Sequence, residues 1–220
     1  MLIRPACFEK GRIPDISELY PVLDKTSVRL RGWDFPHIDQ REQVVLEDCL
    51  RQETERDIFA EVWQFHQSGQ FVHYSSFVED LLSHRRVPQL QPAWQPGLYF
   101  DPVEVIFRLT EIFEFAARLS FTVAADGQTH LEISANGTKN RILKSASGSL
   151  NIPGKHPCQL DTLPCTYDLP NAQLVANTKE LALEPAKYLF QRFGWNPGVA
   201  LLRDLQTELL EKSPWMASTR

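Results

Sequence analysis

The chain has 220 residues, 43% hydrophobic and 23% charged, with 15 prolines and a formal net charge of −5 at pH 7. That length supports one domain with a substantial core, and 10% aromatic content excludes wholesale disorder. The acidic balance excludes a free-standing, strongly basic nucleic-acid binder, because phosphate neutralisation needs clustered Lys and Arg. No apolar run approaches the roughly 20 residues of a membrane span.

At the start, only Leu2 and Ile3 precede Arg4 and Pro5, which is no signal-peptide core. With Cys7, Cys49, Cys158 and Cys165 scattered along the chain, the expectation is a cytoplasmic protein with reduced thiols. Pro14 in a first turn and Ile16, Leu19, Val22 and Leu23 at helical spacing predict a helix over 14–24. Residues 27–33 alternate, Val28 and Leu30 against Arg29 and Arg31, and predict a half-buried strand that Pro36 closes. Residues 43–50 fit a strand or a helix face and are assigned to strand. Over 55–67, Ile58, Phe59, Val62, Trp63 and His66 recur at helical spacing, with Thr54 to cap and Gly69 to terminate, so a helix is predicted. The competing pattern puts Phe59, Glu61, Trp63 and Phe65 on one face of a hairpin that turns at Gln67-Ser68-Gly69. Residues 70–78 read as a strand.

Pro88, Pro92 and Pro96 mark a long loop over 84–100. It ends at Asp101-Pro102-Val103-Glu104, an N-cap, a first-turn proline and an early acid. The helix that follows runs to Leu119. Its charges Glu104, Arg108, Glu111, Glu114 and Arg118 share one stripe, and the rest is apolar, so it is a central helix covered on more than one side. Asp126-Gly127 and Asn136-Gly137 are tight-turn pairs and predict a three-stranded meander over 119–144, with Leu131 and Ile133 toward the core. Residues 145–172, rich in Ser, Gly and Pro, predict a second long loop. A short strand at 174–176, a helix from Glu184-Pro185 to Gly194, and a last helix after Asn196-Pro197 complete the pattern, with 213–220 a flexible tail. The whole reads as a single α+β domain over 1–212, an antiparallel or mixed sheet with helices packed on one face.

No Gly-x-Ser-x-Gly elbow and no Gly-rich phosphate-binding loop occurs. What stands out is a basic and aromatic set, Arg29, Arg31 and Trp33 on one predicted strand and Lys139, Arg141 and Lys144 after the Asn-Gly turn. Such side chains suit phosphate contacts with base stacking or anchors in a protein interface. The expected function is a non-enzymatic binding or accessory module that meets a protein partner, a second copy of itself or a nucleic acid through that face, with no cofactor, no metal and no membrane. The alternative is a metal-dependent hydrolase or nuclease built on Glu132, or on His156, Cys158 and Cys165 in the second loop.

Overall fold

Seven antiparallel strands make one sheet in the computed structural model, which describes residues 1–31, 33–56, 59–82, 94–146, 150–152 and 156–211. In chain order they are β1 (Leu2–Pro5), β2 (Gln43–Val45), β3 (Cys49–Arg56), β4 (Phe59–His66), β5 (Phe71–Ser75), β7 (Gln128–Asn136) and β9 (Thr162–Pro170). Across the sheet they run β2-β3-β4-β5-β1-β7-β9. A separate parallel pair joins β6 (Tyr99–Phe100) to β8 (Ile142–Leu143). The helices are α1 (Leu19–Thr26), α2 (Val78–Leu81), α3 (Pro102–Leu119), α4 (Asn171–Ala176), α5 (Thr178–Arg192) and α6 (Val199–Glu211). The expected α+β class holds. No described helix is long and apolar enough to cross a membrane.

The central helix forms for the reasons its sequence states. Asp101 caps α3 by accepting a hydrogen bond from the Val103 N–H at 2.9 Å, and Pro102 opens the first turn. Phe113 and Phe115 are fully buried. Phe115 meets Phe71 of β5 with ring centroids 4.7 Å apart, and Phe113 meets Tyr167 of β9 edge-on at 5.7 Å. Each such ring contributes roughly 1.5–3 kcal/mol by leaving water. From the other side α5 and α6 cover α3, and the buried Gln206 of α6 donates to Thr110 Oγ1 at 2.9 Å. The helix is therefore enclosed between sheet and helices, as its wide apolar surface implies.

Several expectations are corrected. Residues 59–66 form β4 and not a helix; Glu61, Trp63 and Phe65 turn inward at period two, and β4 pairs with β5 across a turn in which Gly69 takes φ +83°. Both periods were present in the sequence, and flanking strands on each side decided for the ladder. The 27–33 strand is reduced to one bridge between Val28 and Phe35. Arg31 is drawn to carboxylates on α3 and Trp33 lies flat on Phe59 at 4.9 Å, so ion pairing and stacking replace the ladder. The three-stranded meander over 119–144 does not form. Phe121 and Val123 are exposed in turns, and β7 pairs with β1 and β9, which are distant in sequence. Residues 142–143 pair with β6 instead. Part of the 145–172 loop is a strand, β9, whose Pro164 and Pro170 are tolerated because β9 lies at the sheet edge. Residues 174–176 belong to α4, and α5 begins at Thr178 with Pro185 inside it. Of the expected loop over 84–100, residues 84–93 lie outside the described residues, as does the tail over 213–220, while Tyr99–Phe100 form β6 rather than loop.

Gly69 gives the first test. A Cβ there would stand 2.1 Å from the Ala124 carbonyl oxygen, on a backbone that side chains avoid. Gly69→Ala is expected to cost at least about 1–3 kcal/mol, read as a lower urea midpoint at unchanged slope.

Candidate functional site

β1 pairs with β5 at Leu2↔Val72 and Ile3↔Phe71, and with β7 from Leu2↔Glu132 to Pro5↔Thr129. It thereby holds β5 and β7 two strand spacings apart, roughly 9.5 Å. Past Leu2 those two strands flank a cavity of about 770 Å³. Its walls include His73, Ile133 and Ala135 from the helix-facing side of the sheet and Val72, Tyr74, Glu132 and Ser134 from the other. Residues of both orientations line it, so the cavity is a slot passing between strands. Its floor is α3, through Glu104, Val105, Arg108, Leu109 and Ile112.

Backbone alternation directs polar groups into the slot. The amino group of Met1 donates to the His73 carbonyl at 2.8 Å, and the His73 N–H donates to the Met1 carbonyl at 3.0 Å. The Ser76 N–H instead turns to Ala60 on β4 at 2.9 Å. Odd positions of β5 thus face the slot, which includes Ser75. On β7 the Gln128 carbonyl accepts from the Ala6 N–H at 3.2 Å, so even positions face the same way, including Ser134 and Asn136.

The charged groups around the slot differ sharply in how well they are paired. Glu79 is 3% exposed and accepts from the Asp101 N–H at 3.1 Å. Burial raises its carboxyl to about 8, so at neutral pH it carries a proton and can donate. Burial likewise raises Asp101 to about 6, although its oxygens accept from the Val103 and Ala146 N–H groups at 2.9 and 2.7 Å. Asp80 is clamped by both terminal nitrogens of Arg141, whose Nη1 also donates to the Tyr99 carbonyl at 2.9 Å. Arg108 lies over the Phe35 ring at 5.0 Å and reaches Glu111 at 3.5 Å. Both Glu111 oxygens already accept from Arg31 at 2.8 Å. Arg108 is thus a loosely paired cation on the slot floor. Beside it the buried His73 bonds Glu61 at 2.8 Å, and Glu61 also accepts from the His37 N–H at 2.9 Å. Burial holds the His73 imidazole below its usual range, which keeps it neutral.

No protein-family model matches the chain, and neither a curated protein nor a solved structure matches it. What the site can do follows from its own atoms.

The six basic and aromatic residues singled out in the sequence are dispersed over different elements. Arg29 is exposed and pairs with Asp34 at 2.8 Å. Arg31 is held by Glu104 and Glu111 on α3. Trp33 stacks between His37, at 4.2 Å, and Phe59. Lys139 is exposed in the turn after β7. Arg141 is 6% exposed and lines the slot, while Lys144 lies 4.4 Å over the Tyr99 ring. Most of this cationic charge is answered inside the fold.

The residues of the hydrolase alternative are also placed. Glu132 bonds His130 Nε2 at 2.8 Å, and His130 Nδ1 bonds Asp168 at 2.6 Å, on the sheet face away from the helices. Those two carboxylates raise the His130 imidazole. Cys158 is buried with its Sγ 3.4 Å from the Leu160 carbonyl, and burial pushes the Cys165 thiol up to about 11. His156 packs against Gly194. Among the described residues these three do not assemble a metal-ligating group; the set that does is Asp48, Cys49 and His66. Glu79 and the slot itself were missed in the sequence, where Glu79 is one of two adjacent acids in an otherwise apolar stretch and β1 and β7 lie about 130 residues apart.

Proposed function

We propose that this chain is a binding module that takes an extended peptide segment of a protein partner into the slot, as an added strand between β5 and β7. The observation that carries this reading is the slot's width, which β1 sets at one strand between two strand edges. Backbone groups of Ser75, Ser134 and Asn136 face it and supply the ladder bonds that strand addition uses. Below, Val105, Leu109 and Ile112 offer an apolar floor for alternate side chains of the guest, with Arg108 beside them for an acidic or carbonyl-rich one. The volume lies within the roughly 300–1,000 Å³ usual for ligand sites. With Glu79 neutral, Asp80, Glu104 and Glu132 balance Arg108, Arg141 and the Met1 amino group in the lining, so the slot has no excess of positive charge for a nucleic-acid backbone.

Selection from a displayed library of random peptides against the full chain tests this. Selected peptides are expected to slow amide hydrogen exchange at Ser75, Ser134 and Asn136. Ser134→Trp, which fills the slot from its exposed wall, is expected to weaken them by about tenfold or more, equivalent to about 1.4 kcal/mol. Binders that leave those amides unprotected and ignore Ser134→Trp would sink the reading.

A further inference from the structure

A second group of side chains lies elsewhere, where β3 begins and β4 ends, and none of its members lines the slot. Cys49 and His66 are opposite one another in the ladder, so their side chains leave the same face. The next pair, Leu50 and Phe65, points into the core, which places Cys49 and His66 on the other face of the sheet. Asp48 precedes Cys49 at the end of the short connection from β2. Asp48 Oδ1 is 3.5 Å from His66 Nδ1, and one ligand atom from each of the three residues falls within 4.8 Å of the others.

We infer that Asp48, Cys49 and His66 form a binding site for a single transition-metal ion of the zinc class. A thiolate, an imidazole and a carboxylate are the donor set that a borderline-soft divalent ion takes, whereas calcium and magnesium require oxygen. Three protein ligands leave the fourth tetrahedral position to water, and the site is open for it: the Asp48 and His66 side chains are 44% and 21% exposed. Cys49, by contrast, is 2% exposed, and no hydrogen bond holds its thiol among the described residues. A sulfur of a buried residue within 4.8 Å of both an imidazole nitrogen and a carboxylate oxygen has its best partner in a cation.

The backbone under all three ligands is hydrogen-bonded. The Leu46 N–H donates to the Cys49 carbonyl at 2.9 Å, the Gln67 N–H to the Asp48 carbonyl at 2.8 Å, and the His66 N–H to the Gln70 carbonyl at 2.9 Å. An arriving ion has only to draw the three side chains inward on a backbone already held. When a divalent ion binds, its charge offsets Asp48, it bonds the Cys49 sulfur, and the displaced thiol proton passes to solvent. The site is independent of the peptide reading.

The test uses the untagged full chain, stripped with a chelator and titrated with Co²⁺ and then Zn²⁺. One Co²⁺ per chain is expected, with a thiolate-to-cobalt charge-transfer band and tetrahedral d–d bands, both erased by one equivalent of Zn²⁺. Cys49→Ser is expected to abolish the charge-transfer band, and Cys7→Ser to leave it unchanged. His66→Gln and Asp48→Asn should each weaken zinc by more than the roughly 10–100-fold that loss of a supporting partner costs. Asp48 is solvent-accessible, so its variant folds and keeps the test decisive if Cys49→Ser does not. Absence of metal uptake by the parent chain, or uptake that survives Asp48→Asn and His66→Gln at parental affinity, overturns the assignment.

Discussion

Replacing Glu111 with leucine is expected to lower the unfolding free energy by about 3–5 kcal/mol, the range for breaking a buried ion pair from one side. The Glu111 side chain is 2% exposed, and both its oxygens accept from Arg31 in a forked arrangement at 2.8 Å. The loss cannot come from helix propensity, since Leu and Glu are nearly equal in α3, nor from a cavity, since the two are similar in size. It comes from the Arg31 guanidinium, which is left largely buried with Glu104 as its remaining partner, and from Arg108, which loses its contact at 3.5 Å. Burial opposes the charge on Arg31, and Glu111 and Glu104 together more than reverse that. A second variant isolates the cause. With Arg31→Met added, the uncompensated charge disappears, and a large part of the stability is expected to return, because apolar replacements of buried ion pairs are often neutral or better. Urea unfolding at constant slope measures both. A double variant as unstable as the single one would show that the pair matters through packing and not through charge.

That ion network also explains which parts of the molecule were legible in the sequence. The central helix was, because every signal for it is local: Asp101, Pro102 and the apolar spacing to Leu119 act within a few turns of chain. The stripe Glu104, Arg108 and Glu111 was legible as a stripe, but its partner Arg31 lies 80 residues from Glu111 and was read from its own neighbours as a sheet-surface cation. β7 failed in the same way. Its two turn pairs suggested adjacent strands, whereas the hydrogen bonds go to β1 and β9, and sequence periodicity carries no information on which distant edge a strand will choose. β4 shows a different limit. Phe59, Glu61, Trp63 and Phe65 carry the strand period, and Phe59, Val62, Trp63 and His66 the helical one, so the flanking ladders had to decide. The slot has no sequence signature, since it is made by the register of three strands and the helix beneath them. The Asp48, Cys49 and His66 group was half legible: Asp48 and Cys49 are adjacent, but His66 joins them only once the antiparallel register of β3 and β4 is known.

Glu79 makes the stability of this fold fall as the solution becomes more alkaline, and Glu79→Gln is expected to remove most of that fall. The carboxyl stands at about 8 in the folded chain against 4.5 when free, raised by burial. The folded state therefore keeps a proton that the unfolded chain has lost, so its contribution is fully present below about 4.5 and is lost as pH rises through about 8. Asp101, raised to about 6 from 3.8, acts in the same direction at lower pH. Glutamine keeps an oxygen to accept from the Asp101 N–H and never ionises, so the variant should match the parent near pH 5 and exceed it by about 3–4 kcal/mol near pH 8.5. Urea midpoints across that interval decide it, and parallel curves for the two proteins would refute the assignment of the proton. The same proton bears on the slot. A neutral Glu79 can donate to a guest carbonyl, whereas its carboxylate would repel an acidic guest drawn to Arg108. Peptide affinity of the parent chain is therefore expected to decline above about pH 8, while Glu79→Gln, which retains an amide donor at every pH, holds its affinity constant.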